Sequence, residues 1–250
     1  MFSQDSIVKS TQWQSLQASG QHFEDCSNID TLDEHHAAIF RSALSNVLST
    51  PVAEHAFAQI VDGLPTEESF TEFNGWKEGH PVFELNHTEL CDGVIEKTRD
   101  FRSNFDPSSL TFKRQVGSFW ISTWTSCLLS VAAMELLSAF QEVQSDSKEF
   151  NFRLLELLAV ACHQIAVHLY QFDDGIHKHT LYETWRDEPR DRTVPGSYRA
   201  PTPFSHNSYN NVEQYPNGVA DCVGYWAEAK IFGGGVVFDR GESGTEVGTG

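Results

Sequence analysis

Residues 214–244 read "QYPNGVADCVGYWAEAKIFGGGVVFDRGESG", and the assignment of this stretch decides the fold. Two aromatics stand side by side at Tyr225 and Trp226. Three glycines follow at Gly233, Gly234 and Gly235, and an apolar run then ends in Asp239, Arg240, Gly241 and Glu242. Read as strands, "VGYWAEAKIF" and "VVF" flank a glycine turn, which is a hairpin signal. Alternation puts Val223, Tyr225, Ala227, Ala229 and Ile231 on one face, and Trp226, Glu228, Lys230 and Phe232 on the other. Helix competes, because Ala-Glu-Ala-Lys favours it. The hairpin reading makes the chain α+β: a mostly helical body with two long central apolar helices, followed by a β-hairpin-containing C-terminal part.

Upstream of the stretch the chain is rich in breakers, with Pro189, Pro195, Gly196, Pro201, Pro203, Pro216 and Gly218. Before residue 173 the signals are helical. Thr31 and Glu34 form a capping box that opens a helix running to about Leu48, with Ile39, Ala43 and Val47 on one stripe. Thr50 is an N-cap, Pro51 fits the first helical position, and Gly63 fits the stop. Residues 63–105 are less regular, with a helix over about 86–103. Asp106 and Pro107 start the first long apolar helix, which ends near Gln144, and the second runs over about 150–172. The short link between them implies an antiparallel pair. The expected organisation is a flexible N-terminal arm over 1–30 and a single α+β domain over 31–250, helical to 172 and loop- and strand-rich from 173.

With 250 residues, 18 Phe, 6 Trp and 6 Tyr, the chain can build a substantial core. Its formal net charge of −18 disfavours nucleic acid and anionic membrane surfaces. The one local basic stretch, "RDEPRDR" at 186–192, holds nearly as many acids as bases. The five cysteines, Cys26, Cys91, Cys127, Cys162 and Cys222, are far apart and form no CxxC pair. The N-terminus lacks a signal-peptide pattern. Together these point to a soluble protein in the reducing cytoplasm. Residues 117–134 carry no charge, but their serines and threonines fit a buried helix better than a membrane span.

The segment "HQIAVHLYQFDDGIHKH" concentrates imidazoles and carboxylates. His163 and His168 are five apart, about 140° round a helix, so they cannot share one ion. Asp174, His177 and His179 can converge from a loop, and a divalent metal is the cofactor such residues would take. Adjacent His35 and His36 point to different sides of a helix. At the far end, Asp239 and Glu242 offer a carboxylate pair for acid–base work. Tyr198, Arg199, His206, Asn207, Tyr209, Asn210, Asn211 and Tyr215 lie on a long loop that can line a small-molecule pocket. No P-loop and no GxSxG elbow is present.

The "YPNGVAD", "GYWAE", "GG" and "FDRG" series at 215–246 resembles a segment of an uncharacterised filamentous-fungal protein family, and "WRDEPRDRTVPGSY" before it extends the resemblance. The resemblance implies a fungal source and supplies no activity. It also implies that related chains continue past "GTE" with strand-like sequence, so a truncated sheet would leave an associating edge. The expected function is a small-molecule enzyme or ligand binder with a pocket between the helical body and the C-terminal β part. Its catalytic candidates are His177, His179, Asp221, Asp239 and Glu242. Its metal candidates are Asp174, His177 and His179. The alternative is a non-catalytic interaction module or homo-oligomer. Neither nucleic acid nor membrane is expected as a partner.

Overall fold

The computed structural model describes residues 26–113, 137–172, 174–190 and 198–234. Within them the expected hairpin is absent, and the stretch that suggested it is a helix. The α+β assignment is therefore corrected: apart from one pair of three-residue strands, the regular structure among the described residues is helical. β1 (Cys26–Asn28) pairs antiparallel with β2 (Thr111–Lys113), and together they tie the start of the described chain to the segment after the fifth helix.

The helices are α1 (Glu34–Leu48), α2 (Pro51–Asp62), α3 (Glu67–Asn74), α4 (Pro81–Glu84), α5 (Val94–Asn104), α6 (Lys148–Phe172), α7 (His179–Asp187) and α8 (Val219–Phe232). Residues 137–142 are also helical. Of the first expected long helix, 107–113 form a 3-10 turn and β2, and 114–136 lie outside the described residues. The second matches α6. Residues 236–238, the expected return strand, lie outside the described residues.

Local chemistry explains the boundaries. Asp33 caps α1, accepting from the His36 N–H, and displaces Thr31, which closes a 3-10 turn. The Thr50 hydroxyl accepts from the Ala53 N–H, Pro51 opens α2, and Gly63 ends it at φ 93°. α8 begins after Gly218 and stops at Gly233, whose φ of 77° is a left-handed cap. The glycines expected to turn a hairpin thus include the one that ends a helix.

α8 is the centre of the core. All ten positions from Ala220 to Ala229 are buried. A helix covered on every side carries no hydrophobic period, so its sequence shows no stripe for a reader to find. It packs most extensively on α6 and also on α2. Phe40 and Leu44 of α1, Phe57 and Ile60 of α2, Leu157 and Ile165 of α6, and Val223 and Trp226 of α8 share one apolar cluster. The wholly buried Trp226 meets Phe204 edge to face, with ring centroids 5.0 Å apart. α6 is long and apolar enough to cross a membrane, but 67% of its most apolar window is buried inside the protein.

A smaller cluster of Leu64, Phe70 and Val82 joins α3 to α4. His80 stacks on Phe70 with centroids 4.0 Å apart and meets the Trp185 ring of α7 edge to face. Burial drives the His80 pKa down to about 3, so the ring is neutral and behaves as an aromatic spacer between α4 and α7.

Because Trp226 is fully buried among α6, α8 and Phe204, Trp226→Ala should lower unfolding free energy by about 3–5 kcal/mol, read as a reduced urea midpoint. A loss below about 1 kcal/mol would mean that α8 does not occupy the core.

Candidate metal centre

Asp62 is the last residue of α2, and its side chain is 0% exposed. The chain turns away at Gly63, and the turn is held by the Gln59 side-chain oxygen, which accepts from the Thr66 N–H at 2.8 Å. Against this turn lies the segment before α7. A Cβ on Gly63 would overlap the His177 carbonyl oxygen, and one on Gly175 would sit 2.7 Å from the Asp62 carbonyl oxygen. Two glycines therefore let two backbones touch, and the His177 N–H donates to the Asp62 carbonyl at 2.8 Å. This contact carries the His177 imidazole to the end of α2.

His87 arrives from the loop after α4. Its N–H donates to the Val82 carbonyl at 2.9 Å, and its own carbonyl accepts from the Glu67 N–H at 2.8 Å. Its Nδ1 lies 2.9 Å from the Pro65 carbonyl oxygen, so Nδ1 carries the proton and donates. Its Nε2 is 3.1 Å from Asp62 Oδ2, which also accepts from the Cys91 N–H at 3.1 Å. Cys91 Sγ is 3.3 Å from His177 Nε2, and the same Nε2 is 3.8 Å from Asp62 Oδ1. The His87 and His177 rings meet edge to face, with centroids 4.9 Å apart.

One donor atom from each of Asp62, His87, Cys91 and His177 therefore lies within 4.8 Å of every other. Zinc bonds of about 2.0–2.3 Å place tetrahedral donors roughly 3.3–3.8 Å apart, the range of the Cys91–His177 pair at 3.3 Å and the His177–Asp62 pair at 3.8 Å. Nitrogen, sulfur and one carboxylate oxygen form a donor set for zinc rather than for calcium or magnesium, which take oxygen. The Pro65 carbonyl fixes the tautomer that leaves the His87 Nε2 lone pair for an ion. Asp62 Oδ1 is buried with no hydrogen-bond partner, a costly condition for a carboxylate unless a cation faces it.

The titratable groups of the cluster act on one another. Burial pushes the Asp62 carboxyl up, but the His87 hydrogen bond, the Cys91 N–H and the neighbouring imidazoles outweigh it and hold the pKa below the usual carboxylate value. Burial lowers the His87 pKa, yet hydrogen bonds to Asp62 and Pro65 outweigh it and the pKa ends raised. Burial, then Asp62, raises the Cys91 thiol pKa, and burial lowers that of His177. A carboxylate facing two imidazoles and a thiol is a site that a cation would stabilise.

A second polar group joins α6 to α8. His163 Nδ1 is 2.7 Å from Glu228 Oε1, and its Nε2 is 3.0 Å from Asp221 Oδ1. Asp221 and Glu228 stand two turns apart on α8. Gly224 between them lets the imidazole lie on the helix backbone, where a Cβ would meet the ring at 2.5 Å. The Asn217 N–H and side-chain amide hold Asp221 at 2.8 and 2.9 Å. The Tyr225 ring meets His163 edge to face, at 4.7 Å between centroids. Burial alone would lower the His163 pKa, but its two carboxylate partners raise it to about 9. The ring is an imidazolium donating from both nitrogens, and this group is a clasp.

The expected site residues are spread out. His177 belongs to the four-donor group. Asp174 is exposed, and His179 stacks on Tyr170 with centroids 4.0 Å apart; neither belongs to that group. Asp221 is in the α6–α8 clasp. Tyr209 stacks on Tyr225, with centroids 4.5 Å apart. Asp239 and Glu242 lie outside the described residues. Sequence reasoning passed over Asp62, His87 and Cys91. The available signal was "HTELC", where His87 and Cys91 have a ligand-pair spacing of three intervening residues. No family model matches the chain, no curated protein matches it significantly, and no solved structure does.

The raised His163 pKa sets a pH dependence. A folded pKa above the unfolded value of about 6.5 contributes stability that is complete below pH 6.5 and is lost as pH rises through about 9. The stability advantage of the wild type over His163→Gln, measured in urea, should shrink by on the order of 3 kcal/mol between pH 6.5 and 10. An advantage that stays constant over this range would show that His163 is neutral when folded.

Proposed function

We propose that the chain binds one divalent ion of the zinc class through Asp62 Oδ1, His87 Nε2, Cys91 Sγ and His177 Nε2, and that this ion is the chemical centre of the protein. One observation carries the reading: four metal-type donors from three separate segments lie within 4.8 Å of one another, with a buried carboxylate oxygen that has no hydrogen-bond partner. The reading narrows the expectation of a small-molecule enzyme or ligand binder, since the ligand is an ion. It also changes the residues that hold it.

Four protein donors fill a tetrahedron, so the ion has no open position for a substrate or an activated water. Its role is then to fasten. It would join the end of α2, the loop after α4 and the segment leading into α7. Through Trp185 and Tyr182, α7 packs on His80 at the start of α4, so the ion and this aromatic cluster secure the same part of the molecule from two sides.

Protein purified with zinc and freed of loose metal should retain about one equivalent by elemental analysis, and Asp62→Asn and His177→Ala should each retain much less. Because metal that binds only the folded state stabilises it by mass action, zinc at a thousand times its dissociation constant should add about 4 kcal/mol to unfolding. Cobalt in place of zinc should give the visible absorption of a tetrahedral thiolate complex. Less than about a tenth of an equivalent of zinc, with no change in melting temperature on adding zinc, would refute the reading.

A further inference from the structure

The four donors differ in their access to water. Asp62 is 0% and His87 5% exposed, whereas the Cys91 residue is half-buried and the His177 side chain is 18% exposed. The more exposed side of the group is therefore that of Cys91 and His177. The other described free thiols differ: Cys162 and Cys222, on α6 and α8, are each 0% exposed. Of these three described thiols, Cys91 is the one that is half-buried and stands among metal-type donors. An ion-bound cysteine is a thiolate, the form that attacks peroxides.

From this we infer that Cys91 is an oxidation site through which a hydroperoxide releases the bound ion; the inference rests on the proposed metal centre. The thiolate sulfur attacks one peroxide oxygen, an S–O bond forms and the O–O bond breaks. Sulfur loses two electrons to the departing oxygen, which leaves as hydroxide and takes up a proton to become water, or an alcohol from an alkyl peroxide. The ion undergoes no redox change. The sulfenic acid is a poor ligand, and the remaining carboxylate and two imidazoles hold zinc less tightly than the four donors together. A small thiol of the glutathione kind condenses with the sulfenic acid, forming an S–S bond and releasing water, and further thiol exchange restores Cys91. No buried neighbour competes for this step, because Cys162 and Cys222 are closed off on α6 and α8. Loss of the ion leaves the segment before α7 held to the end of α2 by the His177 N–H bond to Asp62 and by the glycine contact.

The test uses the full chain carrying one zinc, treated with hydrogen peroxide in the presence of a zinc-responsive dye. The expected result is release of one zinc per chain, a sulfenic-acid trapping reagent found on Cys91 by peptide mass mapping, and rebinding of zinc after reduction with a small thiol. Cys91→Asp replaces sulfur with an oxygen donor that cannot be oxidised in this way. This variant should bind zinc, more weakly, and keep it at peroxide levels that empty the wild type. Circular dichroism confirms that it is folded. If a loaded wild-type chain keeps its zinc through peroxide treatment, the inference fails and the metal centre stands. The same holds if Cys91→Asp loses zinc at the wild-type rate. A chain that takes up no zinc at the outset overturns both.

Discussion

The His163 imidazole lies flat on the backbone of α8 where Gly224 leaves out a side chain, with Asp221 on one side and Glu228 on the other. Taking an imidazolium out of water is costly unless opposite charges are fixed around it, and here both ring nitrogens have a carboxylate. This clasp sets the rotation and register of α8 against α6. Trp226 then enters the core and α8 meets α2. The end of α2 in turn presents Asp62. The position of the candidate metal centre follows, through packed helices, from a polar contact elsewhere in the core.

The two polar groups solve different problems. Around His163, each nitrogen faces a carboxylate oxygen, and a single extra proton satisfies the arrangement. Around His87, one nitrogen is committed to the Pro65 carbonyl and the other faces Asp62. A proton on that nitrogen serves Asp62 Oδ2 but leaves Oδ1 without a hydrogen bond, with a sulfur and a second imidazole close by. A divalent ion meets all four donors at once. This difference, and not the number of polar residues, separates a clasp from a binding site.

Sequence alone revealed the elements whose chemistry is local. Thr50, Pro51 and Gly63 bound α2 because capping depends on neighbours within one turn. The bounds of α6 were legible from its long apolar run between polar turns. α8 was misread as a strand because it has no exposed face, and a residue such as Glu228 looked like the polar side of a strand when it is buried against His163. In the four-donor group only His177 was legible, since it stands in a visible cluster of imidazoles. Asp62 looked like a residue ending a helix and His87 like a loop residue. Cys91 stood alone, and what joins them is the contact of Gly63 with the 175–177 backbone, between segments more than a hundred residues apart, which no spacing rule reaches.

The pairing of α6 with α8 has a consequence for synthesis. Asp221 follows His163 by 58 residues and Glu228 follows it by 65. At about 5–20 residues per second, α6 leaves the ribosome roughly 3–12 s before its main partner exists. During that interval the most membrane-like helix among the described residues has an imidazole without its carboxylates and a row of leucines without Trp226. The nascent chain therefore carries this helix without its main partner while residues 173–218 are being made. A ribosome that stalls in this interval would expose an apolar helix that the finished protein largely conceals.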